Sequence, residues 1–272
     1  MQETSIDIGG LELGCRNYES MVSFYENRLR LKPRLVTSSR AVFGFNQNST
    51  ELVLYQTDMI LSSCLQSLDH IALKVPSRDV LGGFLHHLIL MQIPILGAVD
   101  HGVSEAIYLE DPERNRIEIV YERDFNSQDI INNINQKEAP FDYAGVYYSC
   151  NLPEQRFVFP DETAIGHVGI IVNKMEKQKE FYEKLLGLES HRYTGKTQLG
   201  SQQKPHLLTL KESEAKICEA NSIKLSIAYP DCQAIETALD KLENAGYKTT
   251  ESDQGYLVND PEGNLVQLVL SI

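Results

Sequence analysis

With 272 residues, 42% of them hydrophobic and 8% aromatic, the chain has material for one large or two ordinary domains with cores of their own, which excludes general disorder. A formal charge of −13 argues against nucleic acid or an anionic membrane surface as the main partner. Five scattered cysteines (Cys15, Cys64, Cys150, Cys218, Cys232) form no CxxC pair or zinc-finger spacing, and neither a leader pattern nor an apolar run of ~18 residues occurs, so a reducing, cytoplasmic setting is expected.

One pattern recurs along the chain: a strand, a polar turn, then a helix. Gly10 to Phe24, His70 to Phe84 and His167 to Phe181 are each fourteen residues apart. The first unit reads as a strand over 6–14, a helix entered through Asn17-Tyr18-Glu19-Ser20 and running to Leu29, and strands near 34–37, 41–46 and 50–56. The second begins at His70, with a helix over 78–91 and strands near 105–110 and 115–121. Residues 124–162 read as a linker, polar first and aromatic later, with room for a short helix near 127–134. The third unit opens with Ala164 to Val172 and a helix from Glu176 to Leu186, stopped by Gly187. The fourth opens with Ile223 to Tyr229, has a helix over 232–245 stopped by Gly246, and ends in a strand after Asp260-Pro261-Glu262-Gly263-Asn264. That Asp-Pro-Glu-x-Asn turn also stands at 111–115, again before a final strand. The expected class is α+β, with tandem β-α-β-β-β units.

Chemistry concentrates on two strands. His70 alternates with apolar Ile71, Leu73 and Val75, and Glu118 lies between Ile117 and Ile119. A histidine and a carboxylate facing inward from neighbouring strands suit one divalent metal; the bland alternative is a buried hydrogen-bonded pair, because an unpaired buried carboxylate costs several kcal/mol. His86 and His87 sit on a helix face beside Leu85 and Leu88, where packing explains them. Gly9-Gly10 and Gly82-Gly83 belong to no phosphate loop, and no nucleophile elbow is present.

Four such units, the Phe-Tyr-Glu triplets at 24–26 and 181–183 and the paired Asp-Pro-Glu turns resemble the vicinal-oxygen-chelate superfamily of glyoxalase I, extradiol ring-cleaving dioxygenases and fosfomycin- and bleomycin-resistance proteins. Asp100 to Pro112, with Ile117-Glu118-Ile119, looks most like its two-domain catechol-2,3-dioxygenase-like bacterial members. The resemblance implies units paired into two half-barrel domains: 1–123, then the linker 124–162, then 163–272. It implies a metal in the N-terminal pair, held by His70 and Glu118 with Glu51 as a third ligand, while Gly10 takes the place of a usual ligand. His101 is the implied proton shuttle, with Tyr108 as a second polar group reaching the cavity. In the C-terminal pair Lys224 and Gln267 replace ligands, so no metal is expected there, and His167 reads as a vestigial or ligand-contacting core histidine.

Three functions stay open. The first is a ring-cleaving enzyme with Fe(II) or Mn(II) acting on a small aromatic or vicinal-oxygen substrate. A glyoxalase-like isomerase or lyase with Zn(II) or Ni(II) is the second, and a non-catalytic small-molecule binding protein of the same fold the third. The oligomeric state is open, a homodimer included.

Overall fold

Each repeat starts with a strand whose alternate residues are apolar, so one face must be covered, and the helix that follows covers it. The computed structural model describes residues 5–44, 51–58, 67–123, 139–150, 157–193, 196–201, 203–215 and 223–271. The first unit has β1 (Asp7–Cys15), helix α1 (Tyr18–Ser23) widening into a π-type turn (Phe24–Arg28), then β2 (Pro33–Val36), β3 (Arg40–Gly44) and β4 (Glu51–Gln56). The second has β5 (Leu68–Val75), α2 (Arg78–Leu90), β6 (Gly97–Asp100), β7 (Ser104–Glu110) and β8 (Arg116–Glu122). A short β9 (Ala139–Pro140) and α3 (Tyr143–Ser149) lie between the halves. The third unit has β10 (Ala164–Val172), α4 (Met175–Lys179) with a second π-type turn (Glu180–Leu185), β11 (Glu189–Tyr193), β12 (Lys196–Gly200) and β13 (Leu208–Glu212). The fourth has β14 (Ile223–Tyr229), α5 (Cys232–Asn244), β15 (Thr250–Ser252), β16 (Gly255–Asn259) and β17 (Leu265–Leu270).

Gly187 and Gly246 end their helices at φ +85° and +83°, the left-handed conformation that made glycine the expected stop. Several elements were not located in the sequence, β6 and α3 among them. The four residues of β6 are too few to show a period, and α3 is announced only by Asp142, whose side chain accepts from Gly145 N at 2.9 Å. The helix expected near 127–134 lies outside the described residues.

The sheets join the units differently from the expected pairing. One runs β15-β16-β17-β14-β1-β4-β3-β2, uniting the first and fourth units; the other runs β11-β12-β13-β10-β5-β8-β7-β6-β9, uniting the second and third. The seams are antiparallel, β1 with β14 and β5 with β10. Every unit offers the same free edge on its first strand, so strand pattern alone does not choose the partner.

The sequence-adjacent units are tied in another way, and here the repeated motifs find their use. Asp111 Oδ1 accepts from the backbone N–H groups of Glu113 and Asn115, and its Oδ2 accepts from Tyr25 of the first Phe-Tyr-Glu triplet at 3.1 Å. Glu113 in turn accepts from Asn17 N at the start of α1. The second copy repeats this: Asp260 accepts from Glu262 N, Asn264 N and Tyr182 Oη, and Glu262 accepts from Asn173 N and Lys174 N. Both tyrosines and both aspartates are buried, and burial pushes the two aspartate carboxyls above their usual range despite the donors around them. Sheets thus bind unit one to four and two to three, while helix-to-turn contacts bind one to two and three to four. Tyr25→Phe or Tyr182→Phe, which removes one donor from a buried carboxylate, is expected to lower unfolding free energy by about 1–2 kcal/mol. The check is a urea titration, in which the midpoint falls and the slope stays; an unmoved midpoint in both variants would show that the hydroxyls hold nothing.

Candidate metal and substrate site

The sheet of the second and third units sorts its residues by alternation. Ile71, Leu73 and Val75 of β5, Ile117 and Ile119 of β8, and Val168 and Ile170 of β10 enter the main core. Their alternates His70, Glu118 and His167 therefore face the other way, into a cavity of about 860 Å³. The wall there is kept low by Ala72, Ala106 and Val120, which pack with Tyr108.

His70 and Glu118 meet as the sequence implied, and His167 completes the group. His70 Nε2 lies 3.0 Å from His167 Nε2, and Glu118 Oε2 lies 3.6 Å from the first and 3.5 Å from the second. All three side chains are buried, and among the described residues they are the group placed to hold a metal. Asp69 Oδ2 stands 2.9 Å from His70 Nδ1, and Lys211 Nζ donates to Asp69 Oδ1 at 3.0 Å. Burial would raise the Asp69 carboxyl, but the hydrogen bond and charge of His70, then those of Lys211, hold it far below the usual range. An ionised Asp69 keeps the proton of His70 on Nδ1 and turns the Nε2 lone pair inward. Burial likewise opposes the charge on Glu118, yet hydrogen bonding and charge from His167, with His70 and His101 behind it, bring its carboxyl down to about 2. Burial lowers His167 below the ordinary imidazole value against the pull of Glu118. At neutral pH the carboxylate is charged and His167 is neutral.

A glycine makes room for this arrangement. Gly169 is the register partner of His70 across the seam, and a Cβ placed on it would lie 2.4 Å from both Cε1 and Nδ1 of the His70 ring. His206 stacks on His167 with ring centroids 3.8 Å apart, and its Nε2 lies 2.7 Å from Thr209 Oγ1. Ala72 pairs with Glu118 and Gly169 with Thr209, so Thr209 is the counterpart of Glu118 in the third unit. Gln198 brings a buried Oε1 without a hydrogen-bond partner among the described residues to the same cavity.

His101 and Tyr108 also line the cavity, with His101 Nε2 3.0 Å from Tyr108 Oη. The turn after His101 is held by Asp100, which accepts from Gly102 N and Arg123. Glu51 is in the other sheet, where its carboxylate accepts from Arg34 at 2.9 Å. Its unit joins the fourth rather than the second, and within its own sheet the register differs too. Gly10 pairs with Glu51 as His70 pairs with Arg116, so Val53 stands where Glu118 does, two residues on. Gly10 is in that sheet too, at the β1–β14 seam. There the corresponding face holds Glu12 between Lys224 and Arg40, and Ser226 hydrogen-bonded to Gln267. In sequence His167 shares its half of the chain with Lys224 and Gln267, which hides it as a ligand. Its place fourteen residues before Phe181, matching His70 and Phe84, was the signal. Nothing in the sequence marks Gly169 or Asp69 as their supports.

With this geometry the comparisons with known proteins agree. A model described as the Glyoxalase/Bleomycin resistance protein/Dioxygenase superfamily matches residues 164–268. Catechol-2,3-dioxygenase of Bacillus subtilis (strain 168) is 26% identical over 268 residues, covering 93% of each protein. The crystal structure of glyoxalase I from Zea mays superposes with a TM-score of 0.62 at 17% identity, covering 98% of this chain and 93% of that one. The cppA protein of Streptococcus pneumoniae TIGR4 superposes with a TM-score of 0.61 at 15% identity, covering 98% of each. At such identities the solved structures speak for the fold, two half-barrels built from β-α-β-β-β units. Residues 164–268 thus form a domain of the glyoxalase/bleomycin resistance protein/dioxygenase superfamily, and the chain as a whole has the paired half-barrel fold.

Proposed function

We propose that this protein is a metal-dependent enzyme acting on a small molecule with two adjacent oxygens, and that ring-cleaving dioxygenation of a catechol-like diol is its reaction. One observation carries the reading: three lone-pair donors, His70 Nε2, His167 Nε2 and Glu118 Oε2, converge with separations of 3.0 to 3.6 Å. Ligand atoms about 2.1 Å from one cation stand roughly 3.0–3.4 Å apart, so the donor set fits. Asp69 takes the hydrogen bond at His70 Nδ1, which leaves Nε2 to face the other two donor atoms. Two imidazoles and a carboxylate on one face form the donor set of non-haem Fe(II) oxygenases, with Mn(II) as the nearest alternative.

Bound there, a divalent cation supplies Lewis acidity towards two adjacent oxygens and, as iron, redox chemistry with O2. The residues around it do the rest. Asp69, backed by Lys211, fixes the His70 ring, and His206 covers one face of His167. The His101–Tyr108 pair lies in the same cavity as a relay able to take the proton from a substrate hydroxyl and return it. Ala72, Ala106 and Val120 leave flat apolar wall for a ring. Thr209, standing where a second carboxylate would complete a four-ligand set, favours an open site over the glyoxalase-like reading.

The direct test is metal content and oxygen uptake. Protein loaded anaerobically with Fe(II) is expected to consume O2 with catechols. His70→Ala, His167→Ala and Glu118→Ala should each lose stoichiometric metal, while Glu51→Ala keeps it. Retention of metal by His167→Ala would overturn the assignment. Gly169→Ala is expected to fold but to displace the His70 ring, weakening metal affinity about 10–100-fold in a chelator competition. In the metal-free protein the depressed carboxyl of Glu118 contributes stability that is present above about pH 4.5 and is lost as pH falls towards 2. The unfolding free energy of wild type relative to Glu118→Gln should therefore shrink steadily between pH 5 and pH 2.5, and a constant difference would contradict this.

A further inference from the structure

We propose that Arg116 is the anion anchor of this cavity, selecting substrates in which a carboxylate stands about one ring-length from the two adjacent oxygens. The inference rests on the metal reading above and deepens it by naming the substrate class. Arg116 is the register partner of His70 and precedes Glu118 by two residues on β8, so both side chains rise from the same face of the same strand. Two residues along a strand are about 7 Å. A ring with vicinal hydroxyls at one end and a carboxylate at the other spans a comparable length.

The other cationic residues lining the cavity already have anionic partners. Lys74 is paired with Glu122, Lys204 with Asp7, and Arg123 with Asp100 and Glu105. Lys211, just behind, is held by Asp69. Arg116 is exposed, lines the cavity and has no ion-pair or hydrogen-bond partner among the described residues. Glu110 faces it across the β7–β8 ladder without forming an ion pair. In a protein with an excess of acidic side chains, an arginine left unpaired beside two imidazoles and a carboxylate is a vacant fork for a carboxylate. The planar guanidinium accepts such a group through two parallel N–H···O bonds, which a neutral isostere cannot match.

The test compares 3,4-dihydroxybenzoate with its neutral isostere 3,4-dihydroxybenzamide, titrated anaerobically into the full chain with and without Fe(II). Wild type is expected to bind the acid about tenfold more tightly than the amide. Arg116→Gln should abolish that preference while leaving the affinity for the amide within about twofold, and Arg116→Lys should keep part of it. Equal affinity of wild type for both ligands, no binding of either at millimolar concentration, or an undiminished preference in Arg116→Gln would each overturn the anchor. The two proposals fail separately. Full metal uptake without a charge preference overturns the anchor alone, whereas an Arg116-dependent preference in a protein that takes up no metal upholds the anchor and overturns the metal reading.

Discussion

The antiparallel seam between β5 and β10 is the contact on which the site depends. His70 and His167 lie on strands almost a hundred positions apart in sequence, and they meet because Ala72 pairs with His167 and His70 with Gly169. The seam carries two register irregularities, at Ile165/His167 and Gly169/Ile170, which flank the histidine. A slip by one residue would turn His167 into the core and present Val168 to the cavity. The apolar residues on the opposite face of both strands oppose such a slip, because it would expose them together.

The second sheet shows what the same geometry becomes without the ligands. Its equivalent seam brings Glu12 next to Lys224, and within the fourth unit Ser226 bonds Gln267, so an ammonium fills the space of the His167 imidazole and an amide that of Thr209. Glu12 is held below the usual carboxylate range, with burial opposing the shift and Arg40 and Lys224 producing it. One backbone plan therefore serves two ends. A convergent set of two imidazoles and one carboxylate leaves room for a cation from outside, while a built-in cation closes the gap permanently.

Much of this was legible in the sequence, and the limits have identifiable causes. The units announced themselves through strand alternation, helix-stopping glycines and the fourteen-residue spacing. The Phe-Tyr-Glu and Asp-Pro-Glu motifs marked a repeated local geometry whose purpose, a tyrosine held on a turn, is visible only when Tyr25 meets Asp111. His70 and Glu118 could be read because they lie in one unit, where a parallel pairing of first and last strand is all that is required. His167 could not be joined to them, because the choice of partner unit is a long-range decision that no local pattern records. Glu51 failed as a ligand for the same reason, since its unit joins the fourth and its strand lies in the other sheet, where moreover Val53 holds the register place of Glu118.

The crossed bracing has a consequence for how the protein comes into being. Cutting between the halves would leave four units and no finished sheet, because β1 waits for β14 and β5 for β10. Leu11 finds its partner only at Leu225, near the far end of the chain. Such distant closure makes for slow, cooperative assembly. Two separately produced halves would each carry an unsatisfied strand edge and seek the other, so that the molecule behaves as an intertwined dimer whose two subunits happen to share one polypeptide.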